Sequence, residues 1–393
     1  MAPPATDVRT LGLILNPVAG VGGPAGLKGS DGLDVQATAL ARGSASRSTE
    51  RALRALAAIA ASRPGARVIT AAGAMGEDAV RLAGLSPHVV HVGGQPSTSQ
   101  DTASAAVAIA AAGASLVLFV GGDGTARDVA SALPSGLPML GVPAGVKMYS
   151  GCFAVSPSAA GALAARWIES AVPLEDREVL DIDETSIRAG RADPRLFAMV
   201  PVPFLQGRTQ ARKSATPSSE SAGVRLAAAG AIAVMDPYTR YLLGPGGTMM
   251  EIARQLGVPK TPLGVDVVRA GQIELADASE RELLALLAPD TSGRPPASAR
   301  AMVTVIGGQG FLLGRGNQQL SAAVLRALGS APLCVVATER KLTELGGRPL
   351  LVDTGDRDLD RSLTGYTTVI TGVGRASVYP VHAPENEGAQ SCV

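Results

Sequence analysis

The stretch VGGDGTARDVASAL, residues 120–133, joins a buried strand to a helix through glycines, and this junction indicates the class of fold. The apolar run at 116–120 precedes it, and residues 125–133 have the spacing of a helix. Continuous apolar runs of this kind are typical of parallel strands that are covered on both faces. A helix that starts directly after such a strand offers free backbone N–H groups and the positive end of its dipole, which attract anions. The sequence therefore predicts an α/β fold with a phosphate-binding loop at 121–125.

The same alternation of strands and helices extends on both sides of this loop. Strands are predicted at 11–15, 66–70, 88–92, 116–120 and 138–142, with helices at 50–62, 77–83 and 99–112. Alternation of this kind indicates right-handed βαβ units and a parallel sheet. We expect an N-terminal parallel-sheet α/β domain over residues 1–172.

The pattern changes after residue 172. Alternating charged and apolar residues at 177–187 and an apolar run at 196–203 predict strands, and the polar stretch 206–221 predicts a mobile loop. Further strands are predicted at 231–235 and 238–243, and a helix at 249–256. We expect a β-rich second domain over 173–300, a C-terminal α/β segment over 301–380 that packs back against the others, and a disordered tail over 381–393.

Composition excludes several classes of protein. The formal net charge of +1 gives no basic field for nucleic acid, and aromatic residues at 3% leave few stacking platforms for bases. The 3 cysteines form no C-x-x-C pair, which argues against a disulfide framework or a structural zinc site. The uncharged stretch 102–122 has the length of a membrane span, but its alanines and β-branched end favour a helix followed by a buried strand. We expect a cytoplasmic protein without nucleic-acid or membrane partners.

An acidic residue stands inside the anion-attracting loop. Asp123 is unfavourable there unless it binds a metal ion or takes a proton from an attacking hydroxyl group. The structural alternative is that Asp123 caps the helix, since aspartate is a strong N-cap. The residues alone leave both roles open.

Five segments, in this order, carry a resemblance to a known family: LNPVAGVGGPAGLKGSDG at 15–32, GGDGT at 121–125, GVPAGVKMYSGCFA at 141–154, YLLGPGGT at 241–248 and GGQGFLLGRGNQQ at 307–319. The chain resembles the NAD kinase/diacylglycerol kinase superfamily, and more closely the bacterial ATP-NAD kinase family that includes the acetoin-catabolism X proteins. The resemblance implies a two-domain kinase fold with its active site in the cleft between an α/β and a β-rich domain. It also implies ATP, or polyphosphate, as the phosphoryl donor and Mg²⁺ as the ion. We further expect a homo-oligomer, a dimer or a tetramer.

The resemblance also assigns roles to residues of the first loop. Asp123 would be the base for the 2′-hydroxyl of the acceptor ribose. The donor phosphates would be lined by Gly121, Gly122, Gly124 and Thr125. Asn16 would contact the donor nucleotide, or alternatively form a turn before Pro17.

Other candidate ligands follow further strands. In the second glycine loop, Gly246, Gly247 and Thr248 would bind phosphate or ribose, unless the loop is a plain turn with Thr248 as N-cap. Lys28 and Lys147 would neutralise phosphate charge, with a solvated surface lysine as the alternative for each. Arg315 and Asn317 would likewise face phosphate, with a structural turn role as their alternative. The sequence assigns no metal ligand.

The chain differs from NAD kinases at the residues that hold the acceptor. Their Asn-Glu pair, which holds the acceptor dinucleotide, is absent between the two glycine loops. The nearest acidic pair is Asp183-Glu184, which would either line the site or lie on a solvated strand edge. We expect a small-molecule kinase that acts on NAD or on another hydroxylated metabolite. A non-catalytic nucleotide-sensing module is the alternative from a different class.

Overall fold

The structure is a computed structural model that describes residues 9–27, 33–145, 148–170, 172–182, 194–205, 207–210, 220–289 and 296–385. Its contacts divide these residues into two compact units. Unit 1 holds the described residues of Met1–Gly20, Ser46–Ile182 and Pro194–Gln210. Unit 2 holds those of Val21–Ala45 and Ala211–Val393.

The described residues form a mixed α/β fold. The strands are β1 Leu11–Leu15, β2 Arg67–Ala71, β3 Ser86–His91, β4 Leu116–Gly121, β5 Met139–Pro143, β6 Leu174–Ile182, β7 Pro194–Pro203, β8 Arg240–Leu243, β9 Asp266–Arg269, β10 Gln272–Leu275, β11 Ala299–Thr304, β12 Phe311–Leu313, β13 Leu333–Val336, β14 Leu350–Val352, β15 Gly365–Gly372 and β16 Arg375–His382. The α-helices are α1 Leu33–Ala41, α2 Ser48–Ser62, α3 Glu77–Leu82, α4 Ser99–Ala111, α5 Asp123–Ala132, α6 Pro157–Glu169, α7 Ser221–Ala233, α8 Gly247–Leu256, α9 Glu280–Leu287, α10 Ala322–Ala327, α11 Glu339–Thr343 and α12 Arg357–Ser362. Gly73–Met75 is a 3₁₀ turn.

Unit 1 contains a five-stranded parallel sheet of order β3-β2-β1-β4-β5. Strands β1, β4 and β5 are buried along their whole length, as their continuous apolar runs predict. Helix α2 packs against α6, and α4 packs against α5. The strand order reverses between β1 and β4, and open α/β sheets bind ligands at the carboxyl ends of the strands at such a point. The predicted N-terminal parallel sheet is confirmed.

The uncharged stretch 102–122 forms helix α4 and strand β4, as predicted from its residue types. Thr98 and Asp101 form a capping box that fixes the start of α4. Among the helices of the described residues, none is long and apolar enough to cross a membrane.

Unit 2 contains a nine-stranded mixed sheet of order β10-β9-β8-β11-β13-β15-β16-β14-β12. Its middle strands β8, β11, β13 and β15 are parallel neighbours. The sheet joins strands from 240–275 to strands from 299–382, so the expected β-rich domain and C-terminal segment share one sheet. Three buried strands, β8, β11 and β13, pack their apolar residues into common cores on this sheet.

Several expectations from the sequence need correction. The strand predicted at 231–235 overlaps the end of helix α7, whose buried residues Ala227, Ala228 and Ala231 have helical spacing. The β6–β7 ribbon belongs to unit 1, because Ser150 and Gly151 hydrogen-bond to the backbone of β6. The described residues of the segment 21–45 belong to unit 2, where the Glu280 backbone N–H donates to the Pro24 carbonyl at 3.0 Å.

The expected disordered tail also begins too early at residue 381. Strand β16 continues to His382, and its ladder with β15 pairs Gly365 with Val381. Ala383 and Glu385 are buried at 2% and 4% exposure. Residues 386–393 lie outside the described residues.

Candidate active site

The carboxyl ends of β1 and β4 meet at the switch point of the unit 1 sheet. Asn16 follows β1, and its backbone N–H donates to the Val120 carbonyl at 3.1 Å. The Asn16 side chain donates from Nδ2 to Thr125 Oγ1 at 3.0 Å and accepts the Val18 N–H at Oδ1. Asn16 therefore forms the predicted turn and also links it to the helix that carries the GGDGT loop.

The glycines of this loop have different reasons to be glycine. A Cβ added to Gly121 would lie 2.3 Å from Thr125 Oγ1. The absence of a side chain at Gly121 therefore allows the first turn of the helix to pack closely against the end of the strand. Gly122 is the N-cap of α5, in extended backbone and without a side-chain cap. Gly124 lies in the first turn of α5 and is half-buried. The residues of the loop thus pack around Thr125, which is 4% exposed.

The Asp123 carboxylate is the main chemical group at this strand end. Its Oδ2 accepts the Tyr149 backbone N–H at 2.8 Å. Its Oδ1 accepts the Ser150 N–H at 3.0 Å and the Ser150 hydroxyl at 2.6 Å. Because Gly122 is the N-cap and these donors come from residues 149–150, Asp123 does not cap its own helix. The capping alternative is wrong, and the side chain is 9% exposed and held in one orientation.

The charge of Asp123 acts on its neighbours. Burial, helped by the negative charge of Asp123, raises the pKa of Tyr149 to about 12. The same two causes, burial first, raise the pKa of the Cys152 thiol well above its usual value. Both side chains therefore stay neutral at physiological pH, and neither adds a negative charge beside Asp123.

The second glycine loop lies in unit 2, between β8 and α8. Gly246 is the N-cap of α8 with φ 115° and ψ 160°, a conformation essentially restricted to glycine. A Cβ added to Gly247, the first helical residue, would meet no atom within 4 Å. Backbone conformation therefore explains the glycine at 246, whereas neither a special conformation nor a close contact explains the one at 247.

Thr248 lies one residue further into α8 and is 1% exposed. It is not the N-cap, so that alternative is wrong. The Thr304 hydroxyl at the end of β11 donates to Thr248 Oγ1 at 3.3 Å. Lys341 Nζ, from α11, donates to Thr304 Oγ1 at 3.3 Å. A lysine thus reaches the second loop through a chain of two threonines.

Arg315 and Asn317 have partners within the protein. Arg315 Nη1 donates to Asp353 Oδ2 at 2.9 Å, and its guanidinium stacks on the Phe311 ring at 4.1 Å. Asn317 accepts the Gly314 N–H at Oδ1 and donates to the Leu312 carbonyl from Nδ2. Both are buried, and these contacts favour the structural alternative of an ordered turn over a phosphate contact.

Four candidates, Lys28, Lys147, Asp183 and Glu184, lie outside the described residues. Sequence reasoning did not select Ser150 or Lys341. Ser150 donates to Asp123 in the first loop, and Lys341 donates to Thr304, which contacts Thr248 of the second loop. Ser150 lies inside the GVPAGVKMYSGCFA segment, so the resemblance carried a signal for it. Lys341 lies in the charged run ERKLTEL, which is typical of a solvated helix face and gives no signal.

The fit of Mg²⁺ depends on the carboxylates near the loops. The described residues contain no group of three His, Cys, Asp or Glu side chains that would hold a metal ion by themselves. Magnesium in kinases uses one or two carboxylates together with substrate phosphates and water. Asp123 is a carboxylate at the appropriate strand end, although both of its oxygens already accept hydrogen bonds. These residues fit an ion that arrives with a nucleotide rather than one held by protein ligands alone.

Comparison with protein families identifies both units. The N-terminal domain of ATP-NAD kinase matches residues 11–172, and the C-terminal domain of ATP-NAD kinase matches residues 238–381. Searches among curated proteins and among solved structures found no significant match. The two matched ranges occur in family order, include both glycine loops and together span most of the chain. The chain belongs to the ATP-NAD kinase family.

Proposed function

We propose that this kinase-family protein transfers a phosphoryl group from ATP to the 2′-hydroxyl of NAD and so forms NADP. The observation that carries the proposal is the Asp123 carboxylate. It is buried, oriented by three donors and placed at the switch point of the sheet. Membership in the ATP-NAD kinase family supports both the donor and the acceptor.

Asp123 would act on the acceptor hydroxyl. A hydroxyl group has a pKa far above 7, so it benefits from a carboxylate that orients it and takes its proton late in the transfer. Ser150 and the backbone at 149–150 hold the carboxylate, so no reorganisation is needed when the acceptor binds. Mg²⁺, when bound with the nucleotide, would neutralise the charge that develops on the phosphates. We further propose that the loops 121–125 and 244–248 receive donor or acceptor phosphates through their backbone N–H groups.

A kinase of another hydroxylated metabolite is the second candidate. The absence of the Asn-Glu pair favours it, because that pair holds the acceptor dinucleotide in the family the chain resembles. Phosphate-donor chemistry is unaffected by this difference. The alternative donor is polyphosphate.

The test is a turnover assay on the purified full chain with Mg²⁺ and either ATP or polyphosphate. NADP formation from NAD is measured by a coupled dehydrogenase, and γ-labelled ATP is used to screen other hydroxylated acceptors. The Asp123→Asn variant, purified in parallel, controls for contaminating kinases. NADP formation by the parent but not the variant supports the proposal. Labelling of a different acceptor assigns the second candidate, and nucleotide binding without turnover of any acceptor assigns a sensing module.

We also propose that the protein works in the cytoplasm as a dimer or tetramer. Light scattering coupled to size-exclusion chromatography measures the mass directly. A chain of 39.6 kDa that elutes as a monomer at micromolar concentration would contradict the oligomer.

A further inference from the structure

Lys341 is a buried cation that forms no ion pair with any residue in the described part of the chain. Its residue is 8% exposed, and its Nζ makes one hydrogen bond, to Thr304 Oγ1 at 3.3 Å. Within the described part of the chain, no carboxylate lies within 4.0 Å of this ammonium. An ammonium group has three donors and is strongly hydrated in water, so burial with a single neutral acceptor is costly. Burial accordingly lowers the pKa of Lys341.

The topology of unit 2 brings this lysine to the second glycine loop. Strands β8, β11 and β13 are parallel neighbours, so their carboxyl ends lie at one edge of the sheet. Thr248 follows β8, Thr304 ends β11 and Lys341 follows β13. Each hydroxyl in the chain from Lys341 through Thr304 to Thr248 lies within hydrogen-bond distance of the next group. Sheet edges of this type are where α/β folds bind ligands.

Helix α8 adds a second anion-attracting feature at the same place. Its first N–H groups have no intrahelical acceptor, and its dipole is positive at this end. The open space at the Cβ position of Gly247 leaves room for a group to approach these donors. The ammonium and the helix start therefore favour the same kind of ligand, a negatively charged group.

We propose that Lys341, Thr304 and the start of α8 form a phosphate-binding site for a nucleotide substrate. The inference rests on the proposed function for the choice of a nucleotide as ligand. Lys341 would contribute charge, and the backbone N–H groups of 247–249 would contribute directed donors.

Glu220 and Glu344 favour the charged form of the lysine. Both carboxylates act electrostatically to raise the pKa of Lys341 against the effect of burial. Glu220 accepts the Thr338 hydroxyl, and Thr338 Oγ1 accepts the Lys341 backbone N–H at 3.2 Å, so the start of α11 is fixed. The lysine side chain therefore points toward Thr304, and its ammonium group forms no ion pair with a described residue.

The experiment compares Lys341→Met with Arg340→Met. Arg340 is the neighbouring residue, and its side chain is 49% exposed and paired with Glu344 at 2.8 Å. Both substitutions remove one positive charge from the same helix, but only the first removes the buried ammonium. The dissociation constants of ATP and of NAD are measured by calorimetry on the full chain at one fixed ionic strength, without turnover. Titrating the two nucleotides separately shows which one supplies the phosphate.

We expect Lys341→Met to weaken the binding of at least one nucleotide about 10–100-fold, the range for a hydrogen-bonded charge. Arg340→Met should remain within about twofold of the parent, because exposed ion pairs contribute little. The Tm of Lys341→Met should not fall, since an unpaired buried charge is replaced by an apolar side chain of similar length. Thr304→Val, which leaves the lysine in place, should weaken the same nucleotide about fivefold and serves as the readout if Lys341→Met does not fold.

Unchanged affinity for both nucleotides in Lys341→Met would overturn the inference, as would an equal loss in Arg340→Met. The result is independent of the proposed activity. A parent protein that binds ATP or NAD but forms no NADP would contradict the activity and leave the phosphate site standing. NADP formation with unchanged affinities in Lys341→Met would contradict the phosphate site alone.

Discussion

Replacing Asp123 by asparagine tests whether the buried carboxylate takes part in the chemistry. The side chain keeps its size but loses its charge and one of its two acceptor oxygens. In the protein, Oδ2 accepts the Tyr149 N–H and Oδ1 accepts both the N–H and the hydroxyl of Ser150. The single amide oxygen of asparagine can accept either from Tyr149 or from Ser150. The NH₂ group must then face the backbone N–H of the residue that the oxygen does not reach.

Two magnitudes follow from this geometry. A lost general base lowers kcat by about 10²–10⁴-fold. A buried N–H left without its acceptor lowers the free energy of unfolding by about 1–3 kcal/mol. Each kcal/mol corresponds to a fall in Tm of about 2–4 °C for a domain of this size. Had Asp123 been a helix cap, asparagine would have replaced it with little change in stability or in kcat.

The assay measures kcat with saturating ATP and NAD, and thermal melts of both proteins. Asp128→Asn is the matched control, because Asp128 lies on the same helix and its carboxylate pairs with Arg127 at 3.3 Å near the surface. That variant should keep kcat and Tm close to those of the parent. A kcat for Asp123→Asn within about threefold of the parent would refute the role as base. An unchanged Tm would refute the hydrogen-bonding account of its burial.

Three further predictions concern other parts of the chain. Gly247→Ala should leave Tm unchanged or higher, because its Cβ meets open space and alanine favours helix, but should weaken nucleotide binding in calorimetry. If Asp183-Glu184 holds the acceptor, replacing both by alanine should raise the KM for the acceptor while the Kd for ATP stays the same. The hydrogen bond from Arg326 lowers the pKa of Asp356 to about 2, so its contribution to stability is complete above pH 4 and is lost as the pH falls toward 2. Urea unfolding between pH 5 and 2 should therefore show a shallower loss of stability in Asp356→Asn than in the parent, whereas equal slopes would contradict this assignment.

The sequence predicted unit 1 well because its strands are long, apolar and buried on both faces. Leu11–Leu15 was predicted at its observed bounds, and the GGDGT loop was placed between β4 and α5. Unit 2 was harder, since strands such as β12 and β14 have three residues and show no periodicity. Ile232 and Val234 favoured a strand where tertiary packing of alanines produces the end of a helix.

Part of the candidate site carries signals in the sequence, also for physical reasons. Glycines, Asn16 and Asp123 carry local signals, because turns and helix starts need particular residue types. The donors that hold Asp123 are mostly backbone N–H groups 26 and 27 residues away, and backbone groups have no sequence signature. Lys341 was missed because its burial depends on the strand order of the unit 2 sheet, which no local pattern encodes.

Under the proposed function, the two glycine loops would serve different parts of a phosphoryl transfer, although their sequences look alike. Both lie where a parallel strand ends and a helix begins, so both offer the same helix dipole and the same free N–H groups. The buried charge beside each loop differs, since Asp123 is negative and Lys341 is positive. A phosphate at the first loop is opposed by Asp123 unless a cation such as Mg²⁺ accompanies it, whereas a hydroxyl group there can donate to the carboxylate. Lysine has no acceptor for a hydroxyl proton but favours phosphate. Changes at Asp123 should therefore act mainly on kcat, and changes at Lys341 mainly on nucleotide affinity.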